Sequence, residues 1–421
     1  MKNKNFSGIQ AKEGTFQGKT SRIVDFLNDN YNIAIDELDK SRMYITAKDG
    51  NKKNYKYDPT FNDIILHMWD ENISVSDNVL MKIITSPNYI KTDNPIVKYF
   101  NGLEGKYKGK SHIDLLCSFL KSTNYGDKKN KNFYQERMTY LIRKWIVALV
   151  AQVKGLRMND VALGFVHAKE GIGKTYLTQF FIPKAISFYY ESISPDYKVN
   201  MTLEEYYSRN LIVNHDELNG INKKNPEEFK RIMSAEEFTI RFPRDPFPKK
   251  VKRYASVMFT SNRTCENGGF LTPDMGLRRY ATVELEEINW QEYNKVIDID
   301  QIYAEALMLL KEDFEYSWVN DYDELKEFNT RFLIESPSMK YIRMYFRQPE
   351  NGEGKFMSAQ QIFDKLIVDK KIRPEDFGKV SAQKIGEALH AYSFTKVQKY
   401  DNDKSYSRYG YDVTCIYDLT N

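Results

Sequence analysis

Short, unbroken apolar runs bounded by polar residues mark the middle of the chain: Val161–Val166 (VALGFV), Leu211–Asn214 (LIVN) and Ser256–Thr260 (SVMFT). A run of this length without alternation suits a strand covered on both faces, as in a parallel sheet. Helical patterns lie between the runs, so strand and helix alternate and predict an α/β core. Upstream the periodicity is helical over Ser21–Asn28, Phe61–Met68, Ser76–Ile84, Ile96–Leu103, His112–Leu120 and Phe133–Lys154. Capping residues such as Thr60, Ser76 and the pair Asn94-Pro95 open several of these segments. Tyr31–Ile35 and Arg42–Thr46 carry β-branched and aromatic residues and predict a small hairpin system. Tyr303–Leu310 and Asp323–Phe332 read as amphipathic helices able to lid the core. From about Ser336 the pattern gives three short helices, Met339–Phe346, Ser358–Ile367 and Ser381–Ala391. An aromatic/polar ribbon follows, Phe394–Tyr400 and Tyr409–Tyr417, joined by the polar turn Asp401–Ser407. Three helices and a ribbon predict a winged-helix module. The expected divisions are 1–90, an α-rich accessory region with its hairpin; 91–155, a helical lead-in; 156–335, the α/β core; and 336–421, the winged helix. The polar first fifteen residues are expected to be mobile.

Composition narrows the class. The 421 residues are 41% apolar and 29% charged, which is compatible with a folded core. Lys+Arg 62 against Asp+Glu 58 leaves +4, so a nucleic-acid surface must be local. Three separated cysteines, Cys117, Cys265 and Cys415, exclude a disulfide framework or zinc ribbon and point to a reducing compartment. The basic start lacks the apolar stretch of a signal peptide. The longest apolar run, near Trp145–Ala151, falls short of the roughly 20 residues that span a bilayer. A soluble, cytoplasmic protein without a membrane partner is expected.

The chemistry concentrates after VALGFV. Ala168-Lys169-Glu170-Gly171-Ile172-Gly173-Lys174-Thr175 follows a predicted strand and opens a predicted helix. Small residues let backbone wrap a phosphate, a lysine reaches the terminal phosphates, and a hydroxyl serves Mg²⁺, so this segment predicts a P-loop that binds ATP. Ala168 stands where the usual pattern has its first glycine. LIVN runs into His215-Asp216-Glu217; Asp216 is the candidate for the Mg²⁺ shell and Glu217 for activating the attacking water. His215 reads as a packing or solvent-facing neighbour. At the end of the third strand, Asn262 is the candidate to hold water opposite the γ-phosphate. Arg278 and Arg279, before the strand-like Ala281–Leu285, are both candidates to reach a neighbour's γ-phosphate in an oligomer. Phe242–Arg253 (FPRDPFPKKVKR) sets basic residues around a single acid, Asp245. It suits a β-hairpin that presents Lys249, Lys250, Lys252 and Arg253 to a phosphate backbone.

The order EGIGKT, HDEL, TSNR, GLRRYATVEL, preceded by NPIVKYFNGLEGKYKGKSHIDLL, resembles the virulence-associated protein E family over roughly residues 90–290. These are superfamily 3 helicase-like ATPases carried by phages and mobile elements. The resemblance implies an AAA+-like core, ATP with Mg²⁺, and a homo-oligomeric, usually hexameric ring. It also implies single-stranded or forked DNA moved by a basic hairpin, for which Lys249 and Lys250 are the candidates, and a possible primase or other replication partner. GLRRY stands where the family has G-N-R-R-F, which leaves either Arg278 or Arg279 as the finger. Two readings follow: an ATP-driven helicase or translocase for replication of a mobile element, and an ATP-switched regulator that binds duplex DNA through the winged helix without unwinding. In the second, Lys384 would reach the major groove and Lys396, Lys399, Lys404 and Arg408 the backbone.

Overall fold

In the computed structural model, which describes residues 18–39, 42–48, 57–86, 88–194, 201–218, 226–242, 247–349, 354–392, 394–401 and 406–418, the chain opens with the helix Lys19–Asn30. It leads into β1 (Tyr31–Asp36), β2 (Met43–Ala47) and β3 (Lys91–Asp93), arranged β2-β1-β3. Tyr31, Ile35 and Ala47 are buried on the face packed against Phe61–Asp70 and Asp77–Ile84, while Asn32, Tyr44 and Thr46 stay exposed. A capping box starts the helix Phe61–Asp70: Thr60 Oγ1 accepts from the Asp63 backbone N–H at 3.3 Å, and the Thr60 N–H donates back to Asp63 at 2.7 Å. The N-terminal fifteen residues lie outside the described residues.

Pro95–Leu103, His112–Ser118 and Phe133–Val153 form the lead-in helices. The sequence predicts helix through Leu120, but the helix stops at Ser118 and Leu120–Ser122 becomes β4. Pairing decides this, since Leu120 aligns with Ile288 of a later strand. The main sheet continues with β5 (Ala162–Val166), β6 (Tyr190–Ile193) and β7 (Ile212–His215). A separate hairpin of β8 (Glu237–Ile240) and β9 (Lys249–Lys252) follows, then β10 (Ser256–Ser261) and β11 (Tyr280–Ile288). Its order is β4-β11-β5-β10-β7-β6, with every neighbouring pair parallel except antiparallel β4–β11. This is the α/β, parallel-rich core that the apolar runs predict.

Both faces of that sheet are covered, which is why its strands read as continuous apolar runs. Leu163, Phe165, Met258 and Val283 join a core with the helix Phe133–Val153, whose Trp145 indole donates to the Val257 carbonyl at 3.2 Å. Lys144 on the same helix is buried; its ammonium meets Asp321 at 2.5 Å and lies near the Trp318 ring. On the opposite face, Ala162, Val213, Val257 and Phe259 pack with Phe229, Phe238 and the C-terminal helices. Gly164 permits this packing: a Cβ there would lie 1.8 Å from the Phe259 ring.

The C-terminal helices form at Pro337–Tyr345, Ala359–Val368 and Ala382–Ala391. Around them lie β12 (Phe346–Arg347), β13 (Lys355–Met357), β14 (Lys396–Asp401) and β15 (Tyr406–Cys415), in a sheet where β15 pairs with the other three. The ribbon matches the predicted alternation, though the middle of its turn lies outside the described residues. Among the described residues no helix is long and apolar enough to cross a membrane.

Candidate functional site

The three predicted strands β5, β7 and β10 end side by side, because β10 lies between the other two in a parallel array. Their C-terminal ends therefore open at one edge, where ligands of open α/β sheets gather. After β5 the chain wraps through Ala168–Gly173 and enters the helix Lys174–Phe180. Gly171 and Gly173 take φ of +73° and +104°, a left-handed backbone that glycine adopts without a Cβ clash. Lys169, Glu170 and Gly171 are exposed and Ile172 is half-buried. The Lys174 side chain, by contrast, is buried beneath the loop. Its ammonium donates to the backbone carbonyls of His167 at 3.1 Å and Lys169 at 3.0 Å. Burial pushes its pKa down, opposed by the charges of Asp216, Glu170 and Glu217.

The acidic pair meets this loop. Thr175 Oγ1 donates to Asp216 Oδ1 at 3.2 Å, and the Thr260 hydroxyl from β10 donates to the same oxygen. Glu217 is exposed and holds φ +51°, uncommon for a non-glycine residue; its N–H donates to Thr260 Oγ1 at 3.4 Å. Asn262 Nδ2 donates to Glu217 Oε1 at 3.3 Å. Lys174, Thr175, Asp216, Glu217 and Asn262 thus converge on one edge. A hydroxyl and a carboxylate sharing a contact offer hard oxygen donors, and the loop offers backbone N–H groups and a cation. His215 lies inside β7, buried, where its ring shares a 2.5 Å hydrogen bond with Tyr207; it packs and does not face the site.

Three further contributors escape the sequence patterns. Thr260 ties Asp216 in place, yet a threonine inside a strand has no signature of its own. Trp290 lies against the loop, its Cδ1 3.3 Å from where a Gly173 Cβ would stand, and Tyr176 meets it edge-on with centroids 5.6 Å apart. At 41% and 47% exposed, these two rings leave open aromatic surface beside the Ala168–Gly173 loop. Trp290 is more than a hundred residues from the loop in sequence, so only the β11–β5 pairing reveals it.

The arginines lie elsewhere. They precede β11, and Tyr280 aligns with Ala162 at the start of β5, so Arg278 and Arg279 sit about 13 Å or more along the strands from the loop edge. Arg278 is exposed and stacks over Tyr322 at 4.8 Å, while Arg279 donates to Ser234 Oγ at 3.0 Å. Neither reaches Lys174 within one chain.

The basic segment divides. Lys249, Lys250 and Lys252 are exposed on β9, antiparallel to β8, with Lys250 opposite Thr239 and Lys252 opposite Glu237. Residues 243–246, the hairpin tip, lie outside the described residues. Arg253, grouped with these lysines as a DNA contact, needs correction. It is buried, and its guanidinium donates to the carbonyls of Met233 (2.7 Å), Ala255 (3.0 Å), Asn159 (3.0 Å) and Ile232 (3.3 Å), so it fastens backbone and does not reach a ligand.

The family model described as "Virulence-associated protein E-like domain" matches residues 105–333, more than half of the chain. The chain belongs to the virulence-associated protein E-like family. The match spans β4, the phosphate-loop segment, the acidic pair, β9 and the arginines, and ends at Leu333. Among solved structures, two A-form apo structures of the NrS-1 C-terminal region each have 12% identity and a TM-score of 0.46; they cover 93% and 94% of this chain and 98% and 100% of theirs. A third apo structure of that region has 11% identity and a TM-score of 0.48, covering 95% of this chain and all of its own. These overlaps are too loose to transfer a role to this family member. No curated protein matches the chain in sequence.

Proposed function

We propose that this chain is an ATP-hydrolysing, superfamily 3-type DNA helicase or translocase with a P-loop AAA+-like core, serving replication of a phage or mobile element. The observation that carries the reading is the convergence of the Lys174 loop, Asp216–Glu217 and Asn262 on adjacent strand ends. The residues fit ATP with Mg²⁺. Among the described residues the Lys174 ammonium has two backbone carbonyls as partners, so an anion would complete its shell. Among the described residues no three His, Cys, Asp or Glu side chains gather as a metal cage, so a divalent ion would take its other ligands from phosphate and water. Mg²⁺, when bound, neutralises charge between the phosphates; Thr175 and Asp216 would hold it. Glu217 then orients and deprotonates the attacking water, Asn262 fixes the Glu217 carboxylate, and Lys174 stabilises charge on the terminal phosphate.

The opposite placement of Arg278 and Arg279 suits a finger offered to the neighbouring subunit of a ring, hexameric in this reading, with Lys249, Lys250 and Lys252 meeting single-stranded or forked DNA. A primase or other replication protein remains a candidate partner. The C-terminal helices and ribbon are read as a winged helix. The duplex-binding alternative gains no specific support: Lys396 lies over Tyr409, Lys399 meets Asp412 at 2.7 Å, and Lys384 donates to the Lys379 carbonyl at 3.0 Å.

Two measurements test this. Phosphate release should climb more steeply than linearly with protein concentration, as inter-subunit sites require, and single-stranded DNA should raise it further. A rate linear in concentration and indifferent to DNA would overturn the motor. The nucleobase is expected to rest on Trp290 and Tyr176. Trp290→Ala should then weaken ATP binding about tenfold, within the ~1–3 kcal/mol of a base–aromatic stack, and leave tripolyphosphate binding unchanged in calorimetric titrations.

A further inference from the structure

Away from the site, a groove of about 1110 Å³ lies between the small N-terminal sheet and the helix Pro95–Leu103. Its floor is the open face of that sheet, at whose margin the Tyr44 hydroxyl meets the Tyr189 hydroxyl at 2.9 Å. Asn32 pairs with Thr46 and Ala34 with Tyr44 on one side and Lys91 on the other, so polar, small and aromatic positions form one continuous surface. The reverse face carries Tyr31, Ile35 and the buried N-terminal core. A sheet with one solvated face is ordinary. A solvated face walled into a deep groove, with a ring 38% exposed at Tyr44, is not.

Four lysines line the groove, Lys48, Lys91, Lys98 and Lys106, against two acids, Asp93 and Asp300. Asp93 pairs with Lys98 at 3.3 Å, and Asp300, which accepts the neutral Tyr99 hydroxyl at 2.5 Å and keeps its charge, is outnumbered by the other three lysines. Lys48 donates to the Asn28 carbonyl. Lys91 and Lys106 are exposed, and among the described residues neither ammonium meets a carboxylate. Uncompensated positive charge therefore flanks a polar floor with an aromatic platform, the combination that binds single strands through phosphates and stacked bases.

We propose that this groove binds a single-stranded polynucleotide, with Lys91 and Lys106 contacting phosphates and a base lying on Tyr44. The inference stands on the N-terminal sheet and needs neither the phosphate loop nor β9. The test uses the full chain and fluorescent oligo(dT) and oligo(U), followed by anisotropy over a salt series. Lys91→Glu/Lys106→Glu should weaken binding at least about tenfold. It should also lower the salt slope by about 1.4, since each lost phosphate contact on a single strand removes about 0.7. The milder Lys91→Ala/Lys106→Ala should act in the same direction if the glutamates disturb folding. An iodouracil-substituted strand should photocross-link to Tyr44. Lys249→Glu/Lys250→Glu separates the two ideas. If it abolishes binding while the groove variants match the parent in affinity and slope, the groove proposal is overturned and the motor reading stands. Residual binding in the β9 variant that the groove substitutions remove supports the groove. Equal loss of a poly-glutamate probe in the groove variants would overturn it, because the surface would then be a general anion sink.

Discussion

Lys174→Ala should cut ATP turnover by at least about a hundredfold, the scale set by losing one positioned donor to developing charge, with little change in thermal melting. The two parts of this expectation have different origins. In the proposed mechanism the ammonium would stabilise the terminal phosphate as charge builds there, and alanine supplies nothing in its place. Folding, however, gains little from it: the group is buried and, among the described residues, has no paired carboxylate, and burial already depresses its pKa. The carbonyls of His167 and Lys169 lose a donor but lie at a loop edge within reach of water. Phosphate release and a melting curve on the same preparation check both. A variant that hydrolyses at the parental rate would remove this loop from the chemistry.

Arg253→Ala should do the reverse and destabilise the fold by about 3–5 kcal/mol, since buried carbonyls that lose their donor cost about 1–3 kcal/mol each. Its guanidinium gathers carbonyls from Asn159, Ile232, Met233 and Ala255, joining the segments that precede β5, β8 and β10. Burial lowers its pKa to about 10, so it remains charged at neutral pH. Removal takes this donor from the carbonyls of Asn159, Met233 and Ala255, while Ile232 keeps the Ala235 N–H at 3.3 Å. Arg253→Lys should recover only part of the loss, because a point ammonium cannot span a planar set of acceptors. Lys250→Ala, on the exposed β9 edge, should leave the denaturation midpoint unchanged. A parental midpoint for Arg253→Ala in urea would refute the buried clamp.

The contrast between Arg253 and Lys250 marks where sequence stops being informative. Both lie in one basic run, and strand alternation alone does not say which basic residue turns inward. The positions of the Gly-Lys-Thr loop and the acidic pair at strand ends are legible because each combines a local pattern with a strand that must be buried on both sides. The β7 strand extends one residue past its apolar run to include His215, whose polarity hides its burial. β6 was not legible at all: Tyr190, Glu191 and Ser192 are only partly buried at the sheet edge, so no apolar run marks them. β4 was hidden for a different reason, since Leu120–Ser122 continues a helical periodicity and becomes strand only when β11 arrives from 160 residues away. Thr260 and Trp290 share that limit, because their roles exist only once distant segments align.

The placement of β4 constrains how this fold can be cut or exchanged between relatives. Three residues that precede the loop strand by about forty positions cover the outer side of β11, and the intervening helix packs on one face of the sheet. A crossover at residue 155 would carry the Ala168–Thr175 loop into its new host with a bare margin and an uncovered apolar surface. Inheritance of the loop as a working unit therefore has to bring the lead-in with it.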